Sequence, residues 1–180
     1  MFEFRYEMYL RGIGTERLFS RLLTPMDKHI WFRFFESEEA TRYLVNPKNN
    51  QGPSERAGLW IEKQLERYKK GEFGVQALIH NETQEFVGQC GLLLQEVDGK
   101  EELEVGYHIM PKFWNMGYAT EAAKGFVEFN RVHHFSDSLI SLIHINNYAS
   151  QKVAEKCGME FEKLTVWRGL NVLVYRLKQF

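Results

Sequence analysis

The chain has 180 residues, 44% of them hydrophobic and 26% charged, with a formal net charge of −1. That suits one globular domain able to bury roughly 70% of the surface its unfolded chain exposes. There is no basic stripe, no metal-ligand spacing around Cys90 and Cys157, and no apolar run of about 18 residues. Composition therefore speaks against nucleic-acid binding, a metal site, a disulfide scaffold and a membrane span.

The first fourteen residues, MFEFRYEMYLRGIG, mix charged with apolar side chains and lack a signal-peptide core. They read as an extended arm attached to a single domain, and the expected compartment is the reducing cytoplasm. A strand is expected over 16–23. Thr24 and Pro25 then open a helix running to about Phe35, with a short second one across 37–45. Residues 46–53 hold turn chemistry and read as a loop. A helix over 54–70 takes Ser54 as its cap and buries Leu59, Ile61, Leu65 and Tyr68.

Beyond Gly71 the texture changes. Strands are expected over 74–80, 85–96 and 101–110, and Asp98-Gly99 turns the second into the third as a hairpin. From about Gly117 to Arg131 the spacing of Ala119, Ala122, Ala123, Phe126 and Val127 draws one helical stripe. The apolar run 138–145 reads as a buried strand, parallel to 101–110 through a right-handed crossover. A helix over 147–157 stops at Gly158, and two strands, 159–168 and 171–179, finish the chain. The fold class is α+β: a mixed sheet of about seven strands.

The stretch WNMGYATEAA (114–123) carries the functional reading. Small residues just before a helix allow an anion to approach the first-turn N–H groups, which lack intrahelical partners and carry the positive end of the helix dipole. Glycine before a helix is common, so spacing alone favours an ordinary helix start, as in a binding domain with no cofactor. The longer segment LEVGYHIMPKFWNMGYATEAAKGFVEF resembles the central motif of the GNAT acyl-CoA N-acetyltransferases. Its Trp-x-x-Gly-Tyr-Ala-Thr-Glu-Ala form is similar to the ribosomal-protein-alanine N-acetyltransferase branch, although Trp114 replaces the usual Arg or Gln. NNYASQKVAEKCGMEF and TERLFSRLLTPMDKHIWFRFF resemble that branch as well, so the likeness spans about residues 15–178.

The resemblance implies a GNAT-like fold with helices on both faces of the sheet, and acetyl-CoA as cosubstrate without a metal. It also implies that backbone around Trp114, Asn115, Met116, Gly117, Tyr118, Ala119 and Thr120 holds the pyrophosphate. Ile109 and Met110 would pair with the pantetheine arm, and Asn147 and Ser150 would contact the cosubstrate. The acceptor is a primary amine, either a protein N-terminus or a small amine such as a polyamine, amino acid or antibiotic. A non-catalytic acyl-CoA sensor is the rival reading, and the assembly is a monomer or homodimer.

Amide formation requires a neutral amine and a protonated leaving thiolate. On a strand Glu102, Glu104, Gly106, His108 and Met110 share one face. Glu104 is the candidate base, with a solvated surface glutamate as the alternative. A free α-amine titrates near about 8 and a lysine near about 10.4, so an α-amine depends less on that base. Many relatives place a tyrosine acid where this chain has Ala154, which leaves Ser150 as the candidate; it and Asn147 could also simply cap the helix. Lys112, Lys124 and Lys152 are the cations that could meet a 3′-phosphate, with solvated surface as the safer reading for each.

Overall fold

The structure is a computed structural model that describes residues 2–45 and 51–178. Residues 46–50 of the expected loop, and the last residue of the final expected strand, lie outside the described residues. In chain order the elements are α1 (Phe2–Leu10), β1 (Leu18–Arg21), α2 (Lys28–Glu36), α3 (Glu38–Thr41), α4 (Pro53–Lys69), β2 (Gln76–His80), β3 (Phe86–Val97) and β4 (Lys100–Ile109). They continue with α5 (Tyr118–His133), β5 (Ser138–His144), α6 (Tyr148–Lys156), β6 (Glu160–Trp167) and β7 (Leu170–Lys178). The seven strands form one mixed sheet in the order β1-β2-β3-β4-β5-β7-β6. Only the β4–β5 pair is parallel, as a right-handed crossover through α5 requires.

Three expectations need correction. The N-terminal arm is helical over α1, not extended. Tyr6 and Tyr9 are its buried anchors, packed on Phe73 with ring centroids 5.8 and 5.0 Å away. The Tyr9 hydroxyl donates to Gly74 O at 2.5 Å and accepts from Leu92 N at 2.9 Å, completing the sheet where β2 no longer reaches β3. Gly91 permits this approach, since a Cβ there would lie 2.7 Å from that hydroxyl. Second, α4 begins at Pro53, whose fixed φ suits the first helical position, so Gly52 rather than Ser54 is the cap. Third, Leu59 is 47% exposed and Leu65 and Tyr68 are half-buried; Ile61 is buried as expected, together with Ala57 and Gln64, whose Oε1 accepts from Val75 N.

Each sheet face has its own helices. One face carries Gln89, Gln95, Glu104 and His108 and is covered by α2 and α4. Trp60 donates from Nε1 to Gln89 Oε1 at 2.8 Å, and both Trp60 and Phe34 meet the His108 ring edge-on. The opposite face meets α1, α5 and α6, with Ala122, Ala123 and Phe126 buried against it. On the uncovered half of the first face, β3 and β4 curl their hairpin tip over β6. Asp98 there pairs with Lys163 and accepts from Thr165 Oγ1. No helix among the described residues is long and apolar enough to cross a membrane.

Candidate active site

The site begins where the sheet comes apart. Ten residue pairs register β3 with β4 and seven register β5 with β7, but β4 and β5 share only Glu104↔Ile140. Beyond that bridge side chains take over: Ser141 Oγ donates to Val105 O at 2.9 Å, and Leu142 N donates to a Glu104 carboxylate oxygen at 3.2 Å. Past them the strands diverge, and a cleft of about 790 Å³ opens between residues 106–109 of β4 and 141–144 of β5.

The end of β4 shows which groups face that opening. Met110 N–H is committed to Val87 O at 2.9 Å, on the β3 side. Backbone direction alternates along an antiparallel ladder, so the amides of Tyr107 and Ile109 point away from β3 toward the opening. Ile109 O already accepts from Trp114 Nε1 at 2.7 Å, which pins the indole over the strand end. Of the two residues expected to pair with a pantetheine arm, Ile109 thus offers its N–H, whereas the Met110 amide does not.

The strand-to-helix junction carries two left-handed residues, Asn115 at φ +61° and Gly117 at φ +83°. Gly117 is the N-cap of α5, and its carbonyl accepts the first helical bond from Glu121 N at 3.0 Å. The amides of Tyr118, Ala119 and Thr120 precede that bond and lie in the first turn, where the dipole is positive. Asn115, Gly117, Tyr118, Ala119 and Thr120 all line the cleft, as does Trp114. Met116 lies outside it, 52% exposed, with its carbonyl accepting from Arg17 Nη1 at 3.0 Å.

Arg17 is a residue that the sequence reading missed. Its Nε donates to Glu121 at 2.7 Å, its backbone N–H donates to the same carboxylate, and its guanidinium lies 4.4 Å over the Tyr118 ring. Glu121 also accepts from Thr15 Oγ1 at 2.7 Å. Although its burial alone would push the carboxyl up, these hydrogen bonds and the Arg17 charge together hold it below its usual range. The first turn therefore keeps its own carboxylate neutralised. A second hollow of about 530 Å³ beside Gly117 is lined by Arg17, Lys124 and Lys156, and also by Glu16 and Glu121. Lys152 and Lys156 border the larger cleft, whereas Lys112 is paired with Glu85 at 2.7 Å. Lys156, like Arg17, comes from an element distant in sequence, and only the fold brings them together.

Glu104 sits at the fork of the two strands and is only 8% exposed. A solvated surface glutamate is thereby excluded. One carboxylate oxygen accepts from Gln95 Nε2 at 2.7 Å and the other from Leu142 N. Burial pushes its carboxyl above the usual range, opposed by those hydrogen bonds and by the charges of Arg67 and Arg168. His108, on the same face, is pushed down to about 4 by burial, so it is a neutral imidazole at physiological pH. Three buried polar atoms around this pair have no hydrogen-bond partner among the described residues: Gln95 Oε1, Gln89 Nε2 and His108 Nδ1.

Across the cleft Asn147 caps α6, its Oδ1 accepting from Ser150 N at 3.2 Å. Asn147 and Ser150 both line the cleft. The Tyr107 hydroxyl donates to Ser150 O at 2.8 Å, fixing the first turn of α6 to β4, a contact that strand alternation alone gave no hint of. Among the described residues no three His, Cys, Asp or Glu side chains gather as a metal ion would require.

A seven-stranded mixed sheet splits at its parallel pair, and a helix N-terminus faces the split, which is an architecture for holding a long ligand with an anionic end. Residues 17–160 match the Acetyltransferase (GNAT) domain family, and the chain belongs to that family of acetyltransferases. It is 29% identical over 169 residues to YkkB, an uncharacterized protein of Bacillus subtilis (strain 168), covering 92% of this chain and 95% of that one. Among solved structures it superposes on an acetyltransferase from Agrobacterium tumefaciens str. C58 with a TM-score of 0.77 at 25% identity, covering 93% and 94% of the two chains. The fold also matches RimL, a ribosomal L7/L12 alpha-N-protein acetyltransferase in complex with coenzyme A. There the TM-score is 0.76 at 13% identity, covering 94% and 98%.

Proposed function

We propose that the protein is an acetyl-CoA-dependent N-acetyltransferase acting in the cytoplasm, passing the acetyl group directly to a primary amine, with a protein α-amine as the reference acceptor. The observation that carries this reading is the continuity of the cleft, from the free amides of Tyr118, Ala119 and Thr120, along the exposed edge of β4, to Glu104. The first-turn amides bind the pyrophosphate of the donor. Asn147 and Ser150 contact its arm, and the Ile109 N–H faces the thioester carbonyl, where developing negative charge is stabilised. Glu104, its basicity strengthened by burial, receives the ammonium proton through water, and Ser150 relays a proton to the leaving thiolate.

Direct transfer is supported by the state of both thiols. Cys90 is fully buried with its thiol pushed up by burial, and Cys157 is pushed up to about 11 while its Sγ donates to Thr120 O. Neither is a poised nucleophile. The test is a thiol-release screen with acetyl-CoA across N-terminal peptides and small amines, alongside calorimetry. Binding and turnover of an α-amine support the reading. Binding without turnover of any amine makes the protein a sensor, and no binding rejects the cleft assignment.

A further inference from the structure

On the α2–α4 face of the sheet Glu104 and Leu142, which also border the cleft, lie between α4 and the tip of the β6–β7 hairpin. Paired residues on neighbouring strands point to one side, so the register places Glu104, Ile140, Val174 and Trp167 on this face together. Trp167 packs against the small apolar cluster of Val97, Ile140 and Val174, which fixes the hairpin tip over this face. From the other side α4 runs antiparallel to β4: Trp60 stands at His108, and Arg67, two turns further along, is within electrostatic reach of Glu104.

Three cations stand around Glu104 and Leu142: Lys63 and Arg168 exposed, Arg67 half-buried. Lys63 and Arg67 lie one turn apart on α4. Arg168 is at the hairpin tip, its guanidinium 4.4 Å over the Trp167 ring. None of the three makes an ion pair among the described residues, whereas Arg17, Arg21 and Arg176 do. The acidic groups that act on them are Glu72 and Glu104, both felt by Arg67, which also donates from Nη1 to Phe73 O at 3.2 Å. Loss of hydration, then the charges of Arg168 and Arg67, lower the Lys63 ammonium, so the cations are close enough to repel one another.

Backbone geometry supplies an independent observation. Arg168 and Gly169 hold φ of +49° and +81°, a turn whose first position is ordinarily Asn, Asp or Gly. An arginine kept in the left-handed region is a strained choice for a plain turn, and such strain persists where the side chain has a task. Next to Glu104, the buried amide oxygen of Gln95 lacks a donor among the described residues. That is an acceptor an amine can satisfy. Among the described residues, this side of Glu104 thus pairs cations without an ion-pair partner with a buried acceptor that lacks a donor.

We propose that the acceptor of this enzyme is an amine carrying an anionic group, a carboxylate or phosphate, which Lys63, Arg67 and Arg168 hold while the amine is presented to Glu104. The proposal rests on the N-acetyltransferase reading above. It is tested with the full-length protein by thiol-release kinetics on matched acceptors: amino acids against their amides, aminoalkyl phosphates against the corresponding amino alcohols, and peptides with acidic against neutral residues next to the N-terminus.

The expected result is at least a tenfold higher kcat/KM for the anionic member of a pair, arising mainly in KM and shrinking with added salt. Whether small anions or acidic peptides give the larger ratio identifies the source of the anionic group. In Arg168→Ala and Lys63→Gln the ratio between the paired acceptors falls at least tenfold. Arg168→Gly relieves the positive φ, so it keeps or raises the melting temperature while losing the preference, which a purely structural arginine would not do. Equal or better turnover of neutral amines, or a ratio unchanged in these variants, overturns the proposal and leaves the acetyltransferase reading standing. Failure with every amine, neutral ones included, overturns both.

Discussion

Gly117 offers the sharpest test of where the donor binds, and Gly117→Ala is the cleanest way to make it. At φ +83° a residue with a Cβ sits in the left-handed region, at a cost of about 1–2 kcal/mol. Sterics add little, since the new Cβ would meet only Arg17 Nη2, at 3.4 Å. In a chain of this size that strain lowers the melting temperature by roughly 2–8 °C. Relaxing it means turning the junction, which moves the amides of Tyr118 and Ala119 off the anion. Losing one charge-assisted hydrogen bond of about 1.5–3 kcal/mol weakens binding roughly tenfold to 150-fold. The assay is calorimetric titration with acetyl-CoA, paired with a thermal melt. Gly99→Ala is the control: Gly99 has φ +74° with nothing near its would-be Cβ, and it lies far along the β3–β4 hairpin. It should lose similar stability and keep its affinity. If Gly117→Ala melts earlier yet binds acetyl-CoA as tightly as the native chain, the anion turn has been assigned to the wrong place.

Glu104→Gln should lower kcat by about 10²-fold or more on a lysine-like amine and less on an α-amine, measured by initial rates. It also tests a stability slope. The folded chain holds the Glu104 proton more tightly than the unfolded one, so the stability this lends is complete below the unfolded pKa and is lost as pH rises through the folded value. The melting temperature of Glu104→Gln relative to native should therefore climb with pH. Ser150→Ala should reduce kcat while leaving acetyl-CoA affinity within a few-fold; an unchanged kcat would remove Ser150 from proton relay. Tyr9→Phe strands Gly74 O and Leu92 N–H, each fully buried pairing lost costing about 1–3 kcal/mol, and denaturant unfolding should show it without any change in acetyl-CoA affinity. Arg176→Ala leaves the half-buried Glu102 without the paired bonds it receives at 2.9 and 2.8 Å, for a loss of about 2–4 kcal/mol in the same assay.

Much of the architecture was legible because its signals are local. Strand alternation and turn residues mark the hairpin at Asp98-Gly99, and the Ala119–Val127 stripe marks α5, whose observed start is one residue past the expected one. The arm misled because FEFRYEMYL has no clear one-sided stripe; its two tyrosines are buried by Phe73 and Gly74, partners more than 60 residues away. Leu59 misled for the opposite reason, since apolarity predicts burial only where a neighbour arrives to cover it. In the site, the sequence reached Gly117 and its flanking residues through a contiguous motif. Arg17, Lys156, Lys63 and Arg168 come from four separate elements and acquire meaning only through the sheet order. Glu104 was reachable as a residue, but its burial was not: period-two spacing names a face without saying what lies on it.

The single backbone bridge between β4 and β5 has a mechanical consequence. The molecule is two leaves bound along a short spine, and the spine is reinforced by side-chain clasps: Glu102 to Arg176, Asp98 to Lys163, Ser141 to Val105. A pantetheine chain laid into the gap would act as a provisional strand, supplying hydrogen bonds the polypeptide itself omits. Amide exchange at Tyr107 and Ile109 should then slow in step with ligand occupancy, while exchange within the β3–β4 ladder stays as it is. On the proposed acetyl-CoA reading, the protein would owe part of its rigidity to its donor, loosening each time the spent thiol departs.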